Sequence, residues 1–177
     1  FPISSVGATV NVLLAATLAE GESVLQNAAI EPEIDNLVDY LISMGAKIQG
    51  RGTRTLVIQG VESLQPGKGV TIADRIEAGT FLCGAVITRG RVKVTQMIPE
   101  HISAVLDLFR EIGCEVTSGD TWVEVDARNK TLKPVSAITL PYPGFPTDLQ
   151  PPLMATLASI EGNSLLQDTI YHDRFTH

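Results

Sequence analysis

Leu18-Ala19-Glu20-Gly21 returns 69 positions later as Ile87-Thr88-Arg89-Gly90, and this echo decides how the chain is built. Ile34, Leu37, Val38 and Leu41 map at a spacing of 68 onto Ile102, Val105, Leu106 and Phe109, and Met44-Gly45-Ala46 maps onto Ile112-Gly113-Cys114. One deletion accounts for the change of offset. A third copy begins near Leu153, where Met154-Ala155-Thr156-Leu157-Ala158 runs into Glu161-Gly162, 72 positions after Gly90. Its remainder is expected beyond His177, so the chain reads as a segment of something longer.

Each copy carries the same periods. Val10, Leu13, Leu14, Thr17 and Leu18 recur at three and four, which predicts a helix ending at Gly21, with Gly90 as the corresponding cap in the second copy. Short alternating strands follow at Ser23 to Gln26 and Val92 to Thr95. Pro32 and Pro99, each followed by Glu, suit a first helical turn, and those second helices end at Gly45 and Gly113. Two more strands close each copy: Lys47 to Gln49 with Thr55 to Ile58, and Glu115 to Thr117 with Trp122 to Val125. The unit reads αβαββ with a further strand leading each first helix. This is a mixed α/β (α+β) fold of helices laid on sheets, with a domain junction near position 72 after the loop Ser63 to Val70.

Composition excludes several classes. The 177 residues include 44% hydrophobic and 19% charged, enough for a packed core and too apolar for disorder. A net charge of -7 is the wrong sign for broad nucleic-acid binding, so no nucleic-acid partner is expected. The apolar run Val12 to Ala19 falls far short of the ~20 residues of a membrane span, so no membrane partner is expected either. Cys83 and Cys114 lie in apolar stretches and read as small buried hydrophobes. His101, His172 and His177 are too scattered for a ligand set, and no metal site is expected. Neither a Gly-x-Gly-x-x-Gly nor a Gly-x-x-x-x-Gly-Lys-Ser/Thr nucleotide motif is present.

Four stretches can carry chemistry. Asp148 lies in Pro141-Tyr-Pro-Gly-Phe-Pro-Thr-Asp-Leu-Gln-Pro-Pro152, where five prolines stiffen the backbone. Flanked by Phe145 and Leu149, it is either a partly desolvated base for a substrate hydroxyl or, with Thr147, the N-cap of a helix from Leu149 to Ser159. Asp74-Arg75-Ile76-Glu77 opens another helix, as a ligand-facing terminus or as a capping group with an Arg75–Glu77 pair. Ser5-Val6-Gly7-Ala8-Thr9 is a small, Gly-containing helix entry that can offer amides to a phosphate. Arg174, the only cation after Lys133, either clamps an anion through its planar fork or balances Asp168 and Asp173 beside His172.

Ser5-Val6-Gly7-Ala8-Thr9, Ala16-Thr-Leu-Ala-Glu-Gly21, Asn27-Ala-Ala, Glu31-Pro-Glu-Ile34, Asp74-Arg-Ile-Glu-Ala-Gly-Thr-Phe81 and Phe145-Pro-Thr-Asp148 together resemble the UDP-N-acetylglucosamine enolpyruvyl transferases (1-carboxyvinyltransferases) along essentially the whole chain. The resemblance implies two domains, each an inside-out α/β barrel of three βαβαββ units, with the active site in the cleft between them. Residues 1–72 would then be the last unit of the first domain, and 73–177 the first and part of the second unit of the next. It implies transfer of the enolpyruvyl group of phosphoenolpyruvate to the sugar 3-hydroxyl with release of phosphate. That is the first committed step of peptidoglycan synthesis in the bacterial cytoplasm, run without metal or organic cofactor.

By motif matching, Asp148 would take the hydroxyl proton. Ser5, Val6 and Gly7 would belong to the nucleotide-diphosphate site and Ile170 would make a backbone contact to the nucleotide sugar, while Arg174, Asp74 and Glu31 would be supporting cleft residues. The partner in catalysis would be the remainder of the same polypeptide. The family's mobile-loop cysteine, Lys-Asn pair and several arginines match nothing here, and Ile3 stands where some relatives carry a phosphate-contacting Lys, so the segment alone is expected to be inactive. The alternatives are a 3-phosphoshikimate 1-carboxyvinyltransferase, for which the cations Arg75, Arg89, Arg91 and Arg174 are few, and a noncatalytic repeat module of the same architecture.

Overall fold

The computed structural model describes residues 1–171 and 173–177 and divides into two compact units, Phe1–Ile72 and Ala73–His177. In the first unit, α1 (Val6–Thr17) leads to β1 (Glu22–Gln26), α2 (Pro32–Ser43), β2 (Lys47–Gln49) and β3 (Thr55–Gln59). The strands form an antiparallel sheet in the order β1-β3-β2, with Leu25 opposite Leu56 and Ile48 opposite Ile58. Alternation along β3 turns Leu56 and Ile58 toward the helices. There they join Leu13 of α1 and Ile34, Val38 and Leu41 of α2 in one buried cluster. Each such fully buried side chain contributes about 1.5–3 kcal/mol relative to exposure.

The second unit repeats the pattern. It runs through α3 (Arg75–Ile87), β4 (Arg91–Thr95), α4 (Ser103–Ile112), β5 (Glu115–Gly119) and β6 (Trp122–Asp126), with sheet order β4-β6-β5. Val123 and Val125 face Leu82 and Val86 of α3 and Phe109 and Ile112 of α4 in its core. A third, shorter set follows: β7 (Ser136–Ile138), α5 (Gln150–Ala158) and β8 (Leu165–Gln167), the two strands pairing in parallel.

The element order follows the expected repeat, with three differences. A strand ahead of the first helix is present among the described residues only as β7, which finds a partner in β8. The corresponding stretches ahead of α1 and α3 join no sheet. Pro99 starts a 3-10 turn, Pro99–Ile102, rather than α4 itself.

Gly21 and Gly90 do not cap their helices. α1 closes on Leu18 and α3 on Thr88, and the left-handed position after α3 is taken by Arg89 (φ 52°). The Gly90 amide donates to the Ala85 carbonyl and the Arg89 amide to the Val86 carbonyl, a Schellman closure that needs one left-handed residue and finds it in an arginine. Gly45 and Gly113, at φ 100° and 108°, fill that place after α2 and α4. A Cβ on Gly113 would sit 2.9 Å from the Thr131 carbonyl oxygen.

No helix among the described residues is long and apolar enough to cross a membrane.

Candidate functional site

The proline-rich stretch of the second unit is anchored on both sides of its acid. The Gly144 amide donates to the Pro141 carbonyl and the Leu149 amide to the Pro146 carbonyl, closing two tight turns, and the Leu140 amide donates to the Phe145 carbonyl in a parallel bridge between Thr139 and Phe145. Phe145 and Leu149 are buried in the core. Thr147, Asp148 and Leu149 form a single 3-10 turn ahead of α5, in which no side chain caps a free amide. The capping alternative for Thr147 and Asp148 therefore does not hold: both side chains have other partners.

Asp148 Oδ1 lies 2.8 Å from Arg174 Nη2. Arg174 is also held from a second direction, donating through Nη1 to the Thr147 hydroxyl at 2.8 Å, and its guanidinium stands 5.1 Å above the Tyr171 ring. The planar fork thus spans two successive side chains of the 147–148 turn and fixes the direction of the carboxylate. The acid is not desolvated by its apolar neighbours as expected. Phe145 and Leu149 point into the core and leave the Asp148 side chain 60% exposed. It opens onto a concavity of about 550 Å³ lined by Asp148, Ile170, Tyr171, Asp173 and Arg174.

Asp168, read from sequence only as an acid for Arg174 to balance, organises this region. Only 7% exposed, it accepts the Ile170 and Tyr171 amides on Oδ1, each at 2.8 Å, and the Thr147 hydroxyl on Oδ2 at 2.7 Å. Burial pushes its carboxyl up, but donation from the Tyr171 amide, the Thr147 hydroxyl and the Ile170 amide outweighs this and holds it below the ordinary value of 3.8. The signal was present in sequence as an Asp followed at two and three positions by the amides it binds, a turn that Asp forms with its own backbone. Its link to Thr147, 21 residues away, was not. Thr169 is tied to the buried Thr139, its amide donating to the Thr139 hydroxyl at 3.0 Å and its hydroxyl to the Thr139 carbonyl.

The other expected residues fall as follows. Asp74 caps α3, accepting from the Ile76 and Glu77 amides at 2.8 and 3.0 Å, and does not line the concavity. Arg75 stands 5.5 Å over the Tyr142 ring. In the first unit, Ser5 caps α1 by accepting from the Ala8 amide at 3.3 Å, and Val6 and Gly7 form the opening turn, with open space beside the Gly7 Cα. Glu31 precedes α2 without capping it and holds a buried Oε2 with no hydrogen-bond partner. Asp148, Ile170 and Arg174 are brought together around one concavity. His172 lies outside the described residues. Among those described, no three His, Cys, Asp or Glu side chains cluster to hold a metal. Cys83 and Cys114 are buried, which pushes each thiol up to about 11.

Repeated helix–strand units in this order belong to the enolpyruvyl-transferase class of fold. The solved structure of the enolpyruvyl transferase NikO from Streptomyces tendae superimposes with a TM-score of 0.83 at 29% identity over 97% of this chain and 41% of that one. A structure of EPSP synthase from Acinetobacter baumannii shares the fold at a TM-score of 0.58 and 20% identity, over 93% of this chain and 38% of that one. The family model for EPSP synthase (3-phosphoshikimate 1-carboxyvinyltransferase) matches residues 1–177, and the chain belongs to that family.

Among its curated relatives, the UDP-N-acetylglucosamine 1-carboxyvinyltransferase of Chlorobaculum parvum is 52% identical over the whole chain, and that of Acinetobacter baylyi 50%. The chain spans 42% of the length of each.

Proposed function

We propose that the full-length protein containing this chain is a UDP-N-acetylglucosamine 1-carboxyvinyltransferase. It would join the enolpyruvyl group of phosphoenolpyruvate to the sugar 3-hydroxyl in the bacterial cytoplasm and so commit material to peptidoglycan. The observation that carries this reading is the Asp148–Arg174 pair at the mouth of the concavity, on a turn anchored by Phe145 and Leu149. The hydroxyl oxygen bonds to C2 of phosphoenolpyruvate as Asp148 takes its proton, while the methylene carbon gains a proton. The tetrahedral adduct then loses phosphate and a methyl proton, restoring the double bond. Holding the reactants in line and stabilising developing charge supply most of the acceleration in such a scheme.

Ile170 follows the Asp168 turn and offers backbone to the nucleotide sugar. Ser5, Val6 and Gly7, at an open helix entry, suit the diphosphate. Glu31 Oε2, an acceptor without a partner, suits a donor of the ligand. Asp74, already engaged as a cap, has at most a supporting role.

The family model is named for the shikimate enzyme, which keeps that alternative in view. Identities of 50% and 52% to the two nucleotide-sugar relatives, against 20% to the EPSP synthase structure, favour the first reading. Phosphate release by the full-length protein separates them. It is expected with phosphoenolpyruvate and UDP-N-acetylglucosamine and absent with phosphoenolpyruvate and shikimate 3-phosphate; the opposite pattern would overturn the proposal.

A further inference from the structure

Asp148 and the Ile170 backbone sit on separate segments, yet one buried carboxylate is bonded into both. Through Oδ1, Asp168 ties down the amides of Ile170 and Tyr171. Through Oδ2 it accepts a hydrogen bond from the Thr147 hydroxyl. That commits the hydroxyl's hydrogen inward and leaves its oxygen to accept from Arg174 Nη1, while Arg174 Nη2 holds Asp148 Oδ1. Asp168, Thr147, Arg174 and Asp148 thus form an unbroken chain of bonds of 2.7–2.8 Å.

We propose that Asp168 is a positioning residue of the enolpyruvyl transfer site, acting through the Thr147 hydroxyl to orient Arg174 and, through it, the Asp148 carboxylate. The burial of Asp168 fits this role, because a carboxylate taken out of water and satisfied by fixed donors has one arrangement, whereas an exposed one has many. An exposed ion pair on its own is weakly held. Bonding Arg174 at a second nitrogen to a hydroxyl that is itself fixed removes that freedom. The inference rests on the catalytic reading of Asp148 given above.

The test uses the full-length protein with Thr147→Val, Asp168→Asn, the double variant, Thr147→Ser and, alongside them, Asp148→Asn. Valine keeps the shape of threonine and deletes the link. Asparagine keeps an oxygen for the Ile170 and Tyr171 amides but turns a donor toward Thr147. Thr147→Val and Asp168→Asn are each expected to lower kcat by about tenfold or more with KM for the nucleotide sugar held within about twofold, and the double variant to be little worse than either. Thr147→Ser restores kcat to near the parent value.

A merely structural role would lower the melting temperature and leave kcat per folded molecule unmoved. Unchanged kcat in Thr147→Val and Asp168→Asn, or losses that multiply in the double, would overturn the positioning role. If Asp148→Asn loses turnover while Thr147→Val does not, only this inference fails. If Asp148→Asn turns over like the parent, the catalytic reading fails and takes the inference with it.

Discussion

Asp168 holds a carboxylate with 7% of its surface in solvent, and its titration is a property of folding as much as of the site. Its folded pKa lies below the ordinary value of 3.8, so the folded state gains from its ionisation above about pH 4 and loses that gain as pH falls through the folded value. Asp168→Asn removes this contribution. Thermal melts carried from neutral pH to about pH 2 should show a parent that loses stability more steeply than the variant on the acid side; parallel curves would show that the carboxylate is not held as described.

The two thiols titrate the other way. Burial pushes Cys83 and Cys114 to about 11, so at about pH 8 both stay protonated and enclosed. A thiol reagent should find neither in the native protein and both after denaturation. Rapid native labelling would contradict their burial. Their burial was legible in sequence, because both sit inside apolar stretches. The Asp168 network was not, since it joins residues 21 and 27 positions apart that no local period connects.

At the scale of elements, the periodic stretches announced the helices and strands, and their ends were the harder part. α3 stops at Ile87 because three consecutive residues complete a Schellman closure there, with Arg89 accepting a left-handed backbone that glycine takes after α2 and α4. A pattern that ranks glycine first as a cap misplaces such an end. In sequence the 147–149 turn fits a helix cap as well as a positioned base, because capping acids are common. Its actual bonds run to residues 168 and 174 in the tail.

Packing of α3 against that turn gives a separate prediction. A Cβ on Gly79 would lie 2.4 Å from Leu149 Cδ1, and Leu149 is fully buried next to Asp148. Gly79→Ala should therefore cost about 1–3 kcal/mol in urea unfolding through overpacking, and should lower turnover by displacing the turn. A variant as stable and as active as the parent would show that the contact relaxes without moving Asp148.

Across the whole molecule, each unit encloses its own core. One cluster is built on Leu13, Ile34, Val38 and Ile58, the other on Leu82, Phe109, Val125 and Leu153. The first two copies of the repeat each carry the apolar faces that build one of these clusters, and Leu153 and Leu157 of the third join the second. The repeat could not show which polar side chains converge, since that depends on how the 139–149 and 165–174 segments lie side by side. The resemblance of Phe145-Pro-Thr-Asp148 to the transferase motif pointed to the acid, and the chain as a whole belongs to the EPSP synthase family over residues 1–177.

The most direct measurement is phosphate release from phosphoenolpyruvate and UDP-N-acetylglucosamine by the full-length protein carrying Asp148→Asn, with nucleotide-sugar binding followed by calorimetry. Turnover should fall by a factor on the order of 10² or more while binding persists, as for removal of a positioned base. Turnover near that of the parent would contradict the account.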